Sequence, residues 1–309
     1  MISRILPFLK ILPNRANCVS QVYHPLFTLT QNFGRANPIR NRYKICNLTI
    51  NHKDSSIVNK SIAEQPLLSY REIKHSMKFL SFFSQYVVPL YEYTHVQFAK
   101  DFFPIILTVQ GLVYNADYEI EQGQKNATLF KNIQPWIDRK RILMELLKEI
   151  DLYSKEIENE ADNLSTYWNL ENRLILTEEI NPEMLQTAIR LRPSDVYMLH
   201  AIFQKITGIS FSTQTQKAII LLEEIRDIEA DLRQYENDVK NNDFNIYRMF
   251  IKLHQKEAQD RLQYELDQRK MLYAEIIDQL PLPFQEKFIE LTRCYYKERP
   301  PIQVPPPIK

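Results

Sequence analysis

The stretch EEIRDIEADLRQYENDV, residues 223–239, holds seven acidic side chains in seventeen positions. Asp227 and Asp231 stand four apart, a spacing that stacks two side chains on one face of an α-helix. On a wheel of about 100° per residue, Glu224, Asp231 and Asp238 fall within about 60° of Asp227, while Ile228, Leu232, Tyr235 and Val239 centre about 110° away. The acidic stripe therefore borders the apolar face instead of opposing it, as a merely solvated stripe would. Carboxylates one turn apart repel each other by a few tenths of a kcal/mol. A hard divalent cation relieves that repulsion, and Mg2+ suits the geometry because it takes one or two carboxylates and completes its shell with water and substrate phosphates. Arg226 and Arg233 in the same stretch keep a second reading open, in which the face is solvated and neutralised by its own arginines.

A second pair lies in YNADYEIEQ, residues 114–122, where Asp117 and Glu121 are again four apart. They close an apolar segment, and acid at a helix C-terminus opposes the macrodipole, so it calls for a reason. Two helices, each ending near a carboxylate pair, could face one another across a pocket. Other chemistries have less support. The six histidines, at 24, 52, 75, 95, 200 and 254, match no metalloprotease spacing, and His200 reads as a core residue with one hydrogen bond. No Gly-x-Ser-x-Gly elbow or phosphate loop occurs. No Glu-x-x-His repeat of a di-iron bundle is present. Cys18 and Cys46 fall near the N-terminus and leave Cys294 alone in the body, which gives neither a disulfide framework nor a thiolate metal site.

The elements that would carry these residues are helical. The chain has only 4 glycines in 309 residues, too few for the tight turns of a parallel-sheet nucleotide fold. Helix formers are plentiful, and no run of strand alternation exceeds a few residues. The spacing predicts helices over residues 70–93, with Pro89 at an end or kink, over 102–121, over one long span 134–168, and over 182–191. Asn181 caps the last of these, and Pro182 takes its first position. A helix from Ser194 stops at Gly208, and Ser212 or Thr213 caps the acidic helix. A final long helix runs from 245 to about 279, and a shorter one follows. The expected fold is one all-α domain, residues 62–297, of about eight or nine helices. The segment 298–309, ERPPIQVPPPIK with its five prolines, reads as an extended polyproline tail with a partner's aromatic groove as one possible destination.

The N-terminal residues differ in kind. Residues 1–53 contain eight basic and no acidic side chains, so the rest carries 31 of the 39 basic and all 38 acidic ones, a net of −7. That body is not a nucleic-acid binder by bulk charge. The acid-free, Arg-containing start predicts an organellar transit peptide, plastid or mitochondrial, cleaved between residues 35 and 62. No transmembrane segment is expected; the best candidate, 102–114, is too short and contains Gln110 and Gly111.

Ile225-Arg226-Asp227-Ile228-Glu229-Ala230-Asp231 resembles the second aspartate motif of class I isoprenoid synthases, the squalene, phytoene and terpene synthase-like family. ADYEIE resembles a degenerate first aspartate motif, with Glu121 in its last acidic place. The chain is also similar to divergent members of that family in cyanobacteria and algae. The resemblance covers about residues 190–250. It implies a helical bundle or barrel around an apolar pocket. It further implies that Asp117, Glu121, Asp227 and Asp231 bind Mg2+ and a prenyl diphosphate, with Arg190, Arg192, Arg226 and Arg248 as phosphate contacts. Tyr235 and Tyr247 would line the pocket, though either could simply pack in the core. The expected activity is Mg2+-dependent ionisation or coupling of a prenyl diphosphate. The alternative is an all-α structural or assembly protein that keeps this fold without catalysis.

Overall fold

In the computed structural model the described residues are 68–91, 102–125, 133–176 and 179–308. All belong to one compact unit, and the predicted transit peptide with its cleavage region lies outside the described residues. The described residues form ten α-helices and no strand, so the all-α expectation holds. In chain order these are α1 (Tyr70–Tyr86), α2 (Phe103–Lys125), α3 (Gln134–Glu149), α4 (Lys155–Leu176), α5 (Pro182–Leu191), α6 (Ser194–Thr207), α7 (Thr213–Asn241), α8 (Ile246–His254), α9 (Ala258–Gln279) and α10 (Leu282–Glu298). No helix among them is long and apolar enough to cross a membrane.

Local chemistry sets most of the boundaries. Asn181 caps α5 by accepting from the Met184 N–H at 2.9 Å. Ser212 caps α7 by accepting from the Thr215 N–H at 3.1 Å. Such caps contribute about 1 kcal/mol each. Gly208, at φ +70°, ends α6 in the left-handed conformation that glycine adopts without strain.

Two expected long helices are each broken in two. Residues 134–168 split between α3 and α4, where Asp151 takes φ +58° and the Leu147 carbonyl accepts from both Leu152 and Tyr153. Residues 245–279 split between α8 and α9, where Gln255 takes φ +49° before a single 3-10 turn. Neither break contains the Gly or Pro that usually signals one in sequence, which is why ten helices form where eight or nine were expected.

The long acidic helix α7 packs on α5, α8 and α9, while α1 and α2 pair and α4 packs on α5 and α6. Aromatic rings fill much of the interior. Phe102 and Phe203 have centroids 4.5 Å apart, Tyr91 and Phe211 4.8 Å, and Phe83 and Phe203 5.1 Å. His200 sits among them and is buried. Its Nδ1 lies 2.7 Å from the Tyr91 hydroxyl, and burial, with Arg226 nearby, lowers its pKa to about 3. It is a neutral core histidine.

Candidate functional site: an enclosed carboxyl cluster around Arg192

The acidic stripe of α7 meets an arginine from the short α5–α6 turn. Arg192 follows the last residue of α5 and precedes Pro193, which together turn the chain into α6. Its Nη1 donates to Asp231 Oδ2, and its Nε lies 4.0 Å from Asp227 Oδ2. Asp231 Oδ2 also accepts from the Ile246 N–H, at 2.7 Å. Asn245 completes the link. Its side-chain amide donates to the Asp231 carbonyl and to Asp238 Oδ2, both at 2.8 Å, and its Oδ1 caps α8 by accepting from the Tyr247 N–H at 2.9 Å. Asp231 therefore joins three things: the α7 stripe, Arg192 and the start of α8.

From the facing helices come further carboxyl groups. Asp117, on α2, accepts from the indole N–H of Trp168 on α4 at 3.1 Å. Glu171, one turn along α4, accepts from the Gln124 side-chain amide at 2.7 Å. Asp195, in the first turn of α6, accepts from the Gln110 amide at 3.1 Å. Arg192 is the guanidinium these groups share, since it favours the charged form of Asp117, Glu171, Asp195 and Asp227 alike. The two sequence-predicted pairs thus reach one electrostatic neighbourhood. The Tyr114 phenol lies within it too, because burial first, and then the charges of Asp195, Asp117 and Asp227, raise its pKa.

Burial governs the protonation of this cluster. It is the largest influence on Asp227, whose pKa is pushed up to about 8, with Arg192 acting in the opposite direction. The Asp117 carboxyl is raised well above the usual range by burial and then by the charges of Glu121 and Glu171. Glu171 and Asp195 are raised by burial as well. Yet Asp227 keeps 34% of its side-chain surface accessible and Arg192 keeps 29%, and Asp117 and Asp195 are also only partly covered. Water therefore reaches these side chains, although their surroundings disfavour the charged carboxylate.

The other candidate residues lie elsewhere. Arg226 turns away from Arg192; its Nη1 pairs with Glu223 at 2.6 Å and its guanidinium lies 5.0–5.6 Å from the ring centres of Phe82, Tyr86 and Tyr295. Arg248 closes the C-terminal end of α7, donating to the Asp243 carbonyl and, at 2.7 Å, to Asn242 Oδ1. Arg190 is exposed in the last turn of α5. The Tyr235 and Tyr247 rings lie 4.8 Å apart at a tilt of 54°, and their hydroxyls engage the backbone of Ile308 and Pro305. Glu121 is partly buried on α2, one turn beyond Asp117.

Glu171 and Asp195 were not singled out in the sequence. Glu171 could have been, because it falls between Trp168 and Leu174 on the apolar face of α4, an unusual place for a carboxyl. Asp195 gave no such signal, since acid in the first turn of a helix is ordinary.

Among the described residues no three His, Cys, Asp or Glu side chains converge closely enough to hold a metal unaided. Mg2+ does not require three. The donor set is all oxygen, and Asp227 is accessible and only distantly paired, so a hard cation completed by water and ligand oxygens fits there. Asp231 is already committed to Arg192 and to the Ile246 amide. No protein-family model, curated protein or solved structure matches the chain.

Proposed function

We propose that the enclosed cluster binds a hard divalent cation together with a diphosphate ester, a prenyl diphosphate being the ligand implied by the resemblance around Asp227 and Asp231. The observation that carries this reading is the ratio of acids to cations: Arg192, already paired with Asp231, is the guanidinium that Asp117, Glu171, Asp195 and Asp227 share, while burial raises the pKa of each. Such a cluster is relieved by protons or by a cation, and a cation in turn attracts phosphate oxygens.

In this reading Asp227 and Asp117, which both act on the Tyr114 phenol and both feel Arg192, hold the cation. When bound, Mg2+ supplies charge stabilisation for a departing diphosphate. Arg192 is placed to donate to phosphate oxygens, and Asp231 orients it through their ion pair. Trp168, fixed by its bond to Asp117, and Tyr114 offer π faces to positive charge that develops nearby. With a pKa of about 8, Asp227 can hold or release a proton near neutrality, so cation binding there competes with a proton and strengthens as pH rises.

The test is diphosphate release from prenyl diphosphates of 10, 15 and 20 carbons, with and without Mg2+, alongside a thermal-shift titration with Mg2+ alone. Release that requires Mg2+ and disappears in Asp227→Ala is expected. Absence of both release and any Mg2+ shift sinks the reading. A second reading has its own observation. The Arg192–Asp231 pair and the Asp231–Ile246 bond tie α5, α7 and α8 together, which suits a non-catalytic structural or assembly protein. Mg2+ binding without release from any chain length would favour that one.

A further inference from the structure

The proline-rich segment that follows α10 has no helix or strand of its own, yet side chains of α7, α8 and α9 hold its backbone at six points. Arg233 Nη2 donates to the carbonyls of Arg299 and Pro300 at 3.3 and 3.0 Å. Gln259 Nε2 donates to the Val304 carbonyl at 2.9 Å, and Gln263 Oε1 accepts from the Val304 N–H at 3.1 Å. The Tyr247 hydroxyl donates to the Pro305 carbonyl at 2.6 Å, and the Tyr235 hydroxyl accepts from the Ile308 N–H at 3.0 Å. Gln259 and Gln263 stand one turn apart on α9, so their amides face the same way and bracket the backbone of a single residue from both sides. That residue, Val304, is 3% exposed, while residues 301, 303, 306, 307 and 308 are exposed.

An extended proline-rich chain makes no hydrogen bonds to itself. Its carbonyls and few N–H groups need partners from outside, and this row of side chains provides them. Four of the six backbone groups lie on residues whose side chains are not buried, and the other two on Val304, so recognition depends on an extended main chain plus one small apolar anchor. That is the logic of aromatic grooves that recognise polyproline segments, and it does not restrict the groove to one sequence.

We propose that the groove formed by Arg233, Tyr235, Tyr247, Gln259 and Gln263 is a binding site for an extended proline-rich peptide of a partner protein, and that the chain's own 300–308 segment occupies it in cis as the competitor. The tether gives that segment an effective concentration of the order of 1 mM. An identical segment on a second copy gains no contact that the tethered one lacks, and at ordinary protein concentrations it loses the competition. A partner peptide with additional anchors does not face that parity. The cis segment thus sets a threshold, and only a ligand that outcompetes it, or a factor that draws it away, opens the groove.

The experiment uses the full chain carrying Val304→Asp, which places a charge in the anchor position and releases the segment, and a second chain lacking residues 300–309. A fluorescent synthetic peptide of residues 300–308 is titrated into each and into the unaltered protein, with helical content followed by circular dichroism. At least tenfold tighter binding to either opened chain than to the unaltered one is expected, with loss of that binding when Gln259 and Gln263 are both replaced by Ala. No binding to an opened chain that retains its helical content overturns the proposal, as does binding indifferent to the two glutamines. Concentration-dependent dimerisation of the unaltered chain in sedimentation would assign the groove to a second copy instead and would equally overturn it.

Discussion

Two groups of carboxyls on α7 handle negative charge in opposite ways. In one group, each carboxylate has its own cation. Glu223 pairs with Arg226 at 2.6 Å and Glu224 with Arg269 at 2.9 Å, and Glu229 is met by Lys270 at 2.7 Å, Arg233 at 3.1 Å and the Tyr296 hydroxyl at 3.1 Å. In the other, Asp227 and Asp231 share Arg192 with carboxyls from α2, α4 and α6. The groups interleave on one helix, so position along it does not explain the contrast, and Asp227 is the most accessible of these acids. The first group gives each buried acid an opposite charge, although Arg226 Nε and Nη2 have no hydrogen-bond partner. The second has fewer cations than acids, and the proposed cation site rests on that.

The comparison can be broken most severely at Arg226. Arg226→Ala leaves Glu223 buried without its cation, and removal of one partner from a buried pair costs about 3–5 kcal/mol. Urea unfolding at pH 7 measures it, and a loss under about 1 kcal/mol would mean that this group is less dependent on its pairings than its geometry suggests. Arg192→Leu should cost less, about 2 kcal/mol, and its cost should shrink on acidification as the orphaned carboxyls take up protons. Its neighbour on the exposed face supplies the control, because Arg190→Ala should stay within about 0.5 kcal/mol at any pH. Equal effects at the two arginines would remove Arg192 from the centre of the cluster.

The smallest effect sharpens the contrast through its sign. The Asp227 carboxyl has a folded pKa of about 8 against an ordinary value of 3.8. Between those values the native state binds more protons than the unfolded chain, so stability from this group falls as pH rises from about 4 to about 8. Asp227→Asn should therefore be neutral near pH 4 and stabilising near pH 8.5, by about 2 °C in Tm once its partial exposure is discounted. Destabilisation at high pH would show that the ionised carboxylate is well accommodated and that the surplus is only apparent.

Periodicity and caps made most of the helices readable. Asn181, Ser212 and Gly208 mark their boundaries through local hydrogen bonds and backbone preference, which are properties of a few adjacent residues. The breaks at Asp151 and Gln255 were not readable, because each depends on a non-glycine residue held at positive φ by tertiary surroundings. The same division applies to the site. The wheel placed Asp227 and Asp231 beside the apolar face, where they are found. It could not assign Arg192 to Asp231 and Arg226 to an aromatic cage, since which cation meets which acid is settled by helices distant in sequence. Tyr235 and Tyr247 show the limit plainly. The place of Tyr235 on the apolar face followed from spacing, but the segment that engages the two hydroxyls, 73 and 58 residues downstream, did not.

The bond from the Ile246 N–H to Asp231 Oδ2 turns a backbone atom into a sensor. An amide hydrogen that donates to a carboxylate takes its electronic environment from that carboxylate's charge. Protonation at Asp227, re-pairing of Arg192, or arrival of a cation would each redistribute charge around Asp231 and so move the amide resonance of Ile246. Because that amide also opens α8, its solvent exchange reports whether the first turn of the helix holds. The molecule therefore carries, in a single peptide group, a spectroscopic window onto both the charge state of the cluster and the mechanical state of the helix beside it.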